Sequence, residues 1–215
     1  TTCATANCPQ PPSGACCLDS GCQIRTQAQC TAGGGTYRGD NTVCANANCP
    51  APTFWLEQGD AGDLPGTAQV VTGSGPLSGI RGTLTSGDVD MYRISICNES
   101  AFDASLVGGT SIDTQLFVFN TAGAGIVMND DDPATGVLQS HLTSAQIFDS
   151  GEYLLAVSAY DNDPLNSGGQ EIWADQPYAQ ERTPDGPGAP GPVASWNGQG
   201  SNTGAYVIRL AGACF

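Results

Sequence analysis

Ten cysteines occur in 215 residues, and eight of them (Cys3, Cys8, Cys16, Cys17, Cys22, Cys30, Cys44 and Cys49) fall before residue 50. Only Cys97 and Cys214 come later. The opening segment has few apolar side chains, chiefly Leu18, Ile24, Tyr37 and Val43, too few to build a core of their own. Disulfides are therefore expected to replace a core over residues 1–50, which places the chain in an oxidising, extracellular compartment. Cys16 and Cys17 are adjacent and are expected to pair with different partners. Zinc sites favour paired Cys-x-x-Cys spacings, and this segment has none. The connectivity itself is not legible from the spacing.

Charge narrows the partners. Twenty-one acidic residues face six arginines, one histidine and no lysine, a net charge of −15. A nucleic-acid partner needs a basic footprint, so none is expected. No stretch reaches the ~20 apolar residues of a membrane span, so membrane insertion is not expected either. Without lysine there is no isopeptide or Schiff-base chemistry. Clustered Asp suits hard cations, calcium above all; the alternative is a solvated acidic surface that keeps a secreted protein soluble. The chain opens at Thr1 rather than Met, which is read as a mature form after signal removal.

Pro50-Ala51-Pro52 forms a short stiff link into a body spanning residues 51–215. With 29 glycines and 14 prolines the chain should be rich in turns and short strands. The body alternates with period two. Tyr92, Ile94 and Ile96 share one face of a strand over 89–96. Tyr153, Leu155 and Val157 do so over 152–159, and Tyr206, Ile208 and Leu210 over 205–210. Residues 102–107, 113–120 and 125–128 complete the series, separated by turns such as Ser86-Gly87-Asp88 and Asp149-Ser150-Gly151. The expected fold is all-β: an antiparallel β-sandwich or jelly roll behind a small disulfide-rich module. Cys97 and Cys214, the two cysteines of the body, are expected to bridge each other and clamp the last strand. Residues 161–204 break the rhythm with a long Pro/Gly-rich loop. Its Trp173, Tyr178 and Trp196 either fold back onto a sheet face or form a ligand-binding surface.

Several segments carry a family resemblance in their order along the chain. These are Glu57-Gln58-Gly59-Asp60 with Thr67-Ala68, Gly87-Asp88-Val89-Asp90-Met91-Tyr92-Arg93-Ile94, and Asp113-Thr114-Gln115-Leu116-Phe117-Val118-Phe119. Asn129-Asp130-Asp131-Asp132, Ser150-Gly151-Glu152-Tyr153-Leu154-Leu155-Ala156-Val157 and Gly204-Ala205-Tyr206-Val207-Ile208 follow. Together, over about residues 55–212, they resemble the bacterial pre-peptidase C-terminal (PPC) domain, a secreted β-sandwich related to collagenase collagen-binding domains. The opening segment resembles small GACC-type cysteine-rich modules of secreted bacterial proteins. The resemblance implies an accessory domain rather than a catalyst. It also implies calcium tying the opening acidic segment to the sheet; the long 161–204 insertion departs from compact members of the family.

Two acidic clusters are candidates for calcium, which takes six to eight oxygens. The first joins Glu57, Asp60 and Asp63 with Asp88 and Asp90. The second joins Asn129, Asp130, Asp131 and Asp132 with Asp161 and Asp163. The alternative for both is turn capping without an ion. No nucleophile elbow, zinc-protease helix motif or phosphate loop occurs, and His141, the one histidine, falls within an expected strand, so no catalytic residues are assigned. The expected function is that of a non-catalytic extracellular structural protein. It would be a self-assembling cell-surface or filament subunit whose partners are copies of itself or other surface proteins. The alternative is a secreted binding module for a protein or polysaccharide.

Overall fold

A computed structural model of the chain describes residues 11–18, 21–32, 35–51, 53–147 and 149–215. Cys3, Cys8 and Pro52, on which part of the sequence reading rests, lie outside the described residues. The chain divides into two compact units, residues 1–52 and 53–215.

In the first unit, β1 (Ser13–Leu18) pairs antiparallel with β2 (Gly21–Thr26), and α1 (Gln27–Ala32) leads to β3 (Thr36–Tyr37) on the other side of β1. Successive strand residues point to opposite faces, so Cys16 and Cys17 diverge and take different partners. Cys16 bonds Cys30, Cys17 bonds Cys49 and Cys22 bonds Cys44. Ala15 and the half-cystines Cys16, Cys17 and Cys30 are the buried apolar residues among the described part of this unit, while Ile24 and Val43 are exposed. The cystines act as its core.

The second unit begins with β4 (Phe54–Leu56) and β5 (Gln69–Val70), followed by β6 (Gly79–Leu84), β7 (Val89–Ile96) and β8 (Asp103–Ser105). Then come β9 (Thr114–Asn120), β10 (Gly125–Asn129), β11 (His141–Thr143) and β12 (Gly151–Ala159). A small hairpin of β13 (Pro164–Leu165) and β14 (Ser195–Trp196) precedes β15 (Gly204–Ala211) and β16 (Ala213–Cys214). One sheet runs β10-β9-β12-β7-β16, with β5 beside β7, and the other runs β11-β8-β15-β6-β4. The pairing is antiparallel apart from the edge pairs β4/β6 and β5/β7, which are parallel.

The alternation read from the sequence divides the strands between two cores. Tyr92, Ile94, Ile96, Leu116, Val118, Leu155 and Val157 point inward, where Ile80, Tyr206, Ile208 and Leu210 of the opposite sheet meet them. Met91, Phe117, Phe119, Leu154 and Ala156 point the other way, yet they are also buried. The long loop covers them with Ile172, Trp173 and Val193. Trp173 lies 5.5 Å from Phe117 and 5.6 Å from Phe119 between ring centroids, and its indole N–H donates to the Arg182 carbonyl at 3.1 Å. Gly125 permits this approach, because a Cβ there would stand 2.5 Å from the Trp173 ring. Two of the three loop aromatics fold back onto the sheet, Trp173 at 1% exposed and Trp196 edge-on against Phe117, whereas Tyr178 packs against Tyr160.

The same loop also closes the sandwich edge. Arg182 and Met128 exchange both backbone hydrogen bonds at 2.9 Å along the outer side of β10. Glu181 accepts from the Thr143 amide at 3.0 Å and from its hydroxyl at 2.8 Å on β11. Edge strands that present unpaired amides invite foreign pairing, and this strap occupies the Met128 amide of β10 and the Thr143 amide of β11.

The expected Cys97–Cys214 bridge is absent. In the β7/β16 pairing Cys214 stands opposite Ser95, while the Cys97 amide bonds the Gly212 carbonyl, so the two cysteines sit diagonally rather than face to face. Cys214 carries a free thiol. Backbone pairing to β7 holds the last strand where a disulfide was expected to do so.

Candidate metal centres

Glu57 follows β4, Asp60 lies in the next turn, and Asp90 is the second residue of β7. One carboxylate oxygen from each converges, all within 4.8 Å of one another. Two oxygens on opposite sides of one calcium ion stand about 5 Å apart, so the spacing suits a shared ion. Asp90 is fully buried; one oxygen accepts from the Tyr206 hydroxyl at 2.6 Å and the other has no partner. Glu57 accepts from the Thr83 amide at 2.9 Å with one oxygen, and its other oxygen is likewise buried and unpartnered. Burial pushes the Asp90 carboxyl up to about 8; the Tyr206 hydrogen bond opposes this, and the Glu57 charge, a hydrogen bond to Glu57 that Asp90 makes only when protonated, and the Asp88 charge add to it. Two ionised carboxylates at this spacing repel by about 3 kcal/mol at an effective dielectric constant of about 20. A proton or a cation must therefore compensate them. A groove of about 660 Å³ lined by Leu56, Glu57, Asp60, Arg81 and Thr83 opens beside the group. Gly82 borders it because a Cβ there would overlap the Tyr206 hydroxyl.

Asp63 and Asp88, assigned to this cluster from the sequence, are not among its three converging residues. Asp88 caps its own turn, accepting from the Thr85 amide at 2.9 Å and from its hydroxyl. Asp63 is exposed and offers its carbonyl to the Trp196 indole at 2.7 Å.

The second cluster gathers for a topological reason. β9 begins, β10 ends and β12 ends at one sheet end, so the residues flanking those termini meet. Asp113, Asp130 and Asp131 bring carboxylate oxygens within 4.8 Å of one another. Asp130 is 2% exposed, and it and Asp113 each hold a buried oxygen with no partner. Burial, then the charges of Asp131 and Asp113, push Asp130 up to about 8; burial and Asp131 push Asp113 up to about 6. Asp163, Glu171 and Asp175 form a third convergent group. Gln115 donates to Asp163 at 3.0 Å and fixes its carboxylate. Asp161 adopts a left-handed φ of 63° at the turn after β12, and its charge helps raise both Asp163 and Glu171.

Asn129 and Asp132 serve other ends. The Asn129 side chain accepts from the His141 amide at 2.8 Å and donates to the Asp131 carbonyl at 2.8 Å. Asp132 caps the following turn through Ala134 and Thr135. The sequence did not single out Asp113, Glu171 and Asp175 as candidate ligands. Asp113 was read as part of a strand motif, and the other two lie in a loop whose path no local pattern discloses.

His141 is held from both sides. Its Nε2 lies 2.8 Å from Asp103 and its Nδ1 3.2 Å from Asp132. The Asp103 hydrogen bond is the chief cause that lifts its pKa to about 9. An imidazolium has no lone pair with which to take a proton from a nucleophile, so this geometry suits a charged lock between β8 and the Asp132 turn.

No helix among the described residues is long and apolar enough to cross a membrane. No family model, curated protein or solved structure matched the chain.

Proposed function

We propose that the chain is a non-catalytic extracellular structural protein, a cell-surface or filament subunit. It associates with copies of itself or with other surface proteins and is braced by disulfides and calcium. The observation that carries this reading is the convergence of Asp90, Glu57 and Asp60 with two buried oxygens unpartnered. A buried carboxylate oxygen without a donor is costly, and a hard cation removes that cost. Glu57, Asp60 and Asp90 are three of the five residues at which the PPC resemblance implies calcium. Three disulfides fit an oxidising environment. His141 is committed to two carboxylates, which favours a structural role over hydrolysis.

A secreted binding module remains the second reading, favoured by the groove beside Arg81 and Leu56. The loop aromatics lend it little, because Trp173 is buried and Trp196 lies on the sheet.

An ion that binds the folded state alone stabilises it by about 2.7 kcal/mol at a hundredfold excess over its dissociation constant. Thermal scans of the full chain in calcium and in chelator should differ by several degrees, and Asp90→Asn should shrink the difference. Coincident scans would defeat the calcium reading. Electron microscopy of native material separates the two roles: long particles support a subunit, and monodisperse monomers support a binding module.

A further inference from the structure

The two convergent groups at the β9/β10/β12 sheet end are joined. A cavity of about 10 Å³ lies between them, lined by Asp130, Asp161, Asp163 and Asp175 and by Tyr160 and Tyr178. That is about the volume a single water or ion centre occupies. Asp130 of the first group and Asp163 and Asp175 of the other line the same cavity, so the two groups face one chamber. Arg182 is the cation that acts on Asp130, but its two terminal nitrogens are bonded to Asp185 at 2.7 Å, to the Gln176 carbonyl at 3.0 Å and to the Ala174 carbonyl at 2.5 Å, while its buried Nε has no partner. Asp130 is 2% exposed, holds a buried oxygen with no partner and lines the cavity. The donors are all oxygens, and no histidine or thiol lines the cavity. That set disfavours zinc, and its mixed strand and loop origin suits the irregular shell of calcium better than the strict octahedron of magnesium.

We propose that this chamber is a calcium site in which Asp130, with Asp113 and Asp131 beside it, shares one ion with Asp163 and Asp175, and that the ion clamps the 161–203 segment over the sandwich edge. The strap begins at the chamber. Three residues beyond Asp175, the Tyr178 carbonyl accepts from the Asp131 amide at 3.3 Å, and Glu181 and Arg182 then pair with β11 and β10. Without the ion, ionised Asp163, Glu171 and Asp175 repel the sheet-end carboxylates, and the strap lifts from β10. Calcium thereby controls whether that edge can pair with another chain. The inference shares with the proposed function only the choice of ion, because Asp90 lies outside this chamber.

Arg182 reports the strap position directly. It is 6% exposed, so trypsin reaches the bond after it only when the strap opens. The full chain is digested in calcium and in chelator, and the cut after Arg182 is followed by mass. Terbium, excited through the tyrosines at the cavity, reports occupancy in parallel. The expected result is cleavage at Arg182 at least about tenfold faster in chelator, together with terbium emission that calcium displaces. Asp175→Asn and Asp130→Asn should each lose both the protection and the emission, and Asp90→Asn should keep them. Asp175 is exposed, so Asp175→Asn decides the matter even if Asp130→Asn folds poorly. Equal cleavage with and without calcium would overturn the inference, as would protection that survives in Asp175→Asn. Protection lost only in Asp90→Asn would assign the effect to the Glu57 group and overturn it as well. A calcium-raised melting temperature without Arg182 protection would leave the proposed function standing and remove this inference alone.

Discussion

Replacing His141 by Gln should destabilise the protein at neutral pH and have little effect at high pH. His141 faces Asp103 at 2.8 Å and Asp132 at 3.2 Å, and Glu181 stands close enough to feel its charge. The folded-state pKa of about 9 lies above the unfolded value of 6.5. The imidazolium therefore contributes its full stabilisation below about pH 6.5 and loses it as pH rises through about 9. That interval corresponds to a little over ~3 kcal/mol at about 1.4 kcal/mol per pH unit. Asp103, the chief partner, is 45% exposed, so solvent screening reduces the figure to about 1–2 kcal/mol. Asp90 and Asp130, each pushed up to about 8, titrate in the same window. The informative quantity is thus the difference between wild type and His141→Gln at each pH, measured by urea denaturation in excess calcium. The gap should be about 1–2 kcal/mol near pH 6 and close to zero near pH 10. A gap that stays constant across the range would mean that His141 acts by shape and neutral hydrogen bonding alone. A gap that widens with pH would reverse the sign and refute the charge-lock argument.

Two further outcomes test other parts of the account. Trp173→Ala should cost about 3–5 kcal/mol in urea denaturation, the range for deleting a fully buried large aromatic. Trp173→Phe, which mainly loses the hydrogen bond to Arg182, should cost nearer to about 1 kcal/mol; equal small losses in both would mean that the loop is not part of the core. A truncated chain beginning at Thr53 should keep the circular-dichroism signature of a folded sandwich, since that unit carries its own core, but should no longer assemble. Normal assembly by the truncated chain would move the contact to the sandwich or its strap, away from exposed Ile24 and Val43.

Local chemistry was enough for the all-β architecture and the stapled module. Period-two runs such as Tyr92, Ile94 and Ile96 admit one pleated solution, and a segment with so few apolar residues needs cystines. The divergence of Cys16 and Cys17 follows from strand geometry alone. Asp90 and Asp130 could be named as ligand candidates because Asp in turns commonly caps or chelates, and clustered carboxylates suit a hard cation. Tertiary structure decided which carboxylates converge. Asp88 and Asp132 look like their neighbours in sequence but turn to cap backbone amides, while Asp113, Glu171 and Asp175 arrive from distant positions. It also decided that Cys97 and Cys214 sit diagonally, because strand register depends on the whole sheet rather than on the two residues. The path of the 161–203 segment depends on long-range contacts of the same kind: Trp173 on Phe117 and Phe119, and Arg182 on Met128. Those contacts join residues far apart in the chain, and a pattern confined to neighbouring residues carries no record of them.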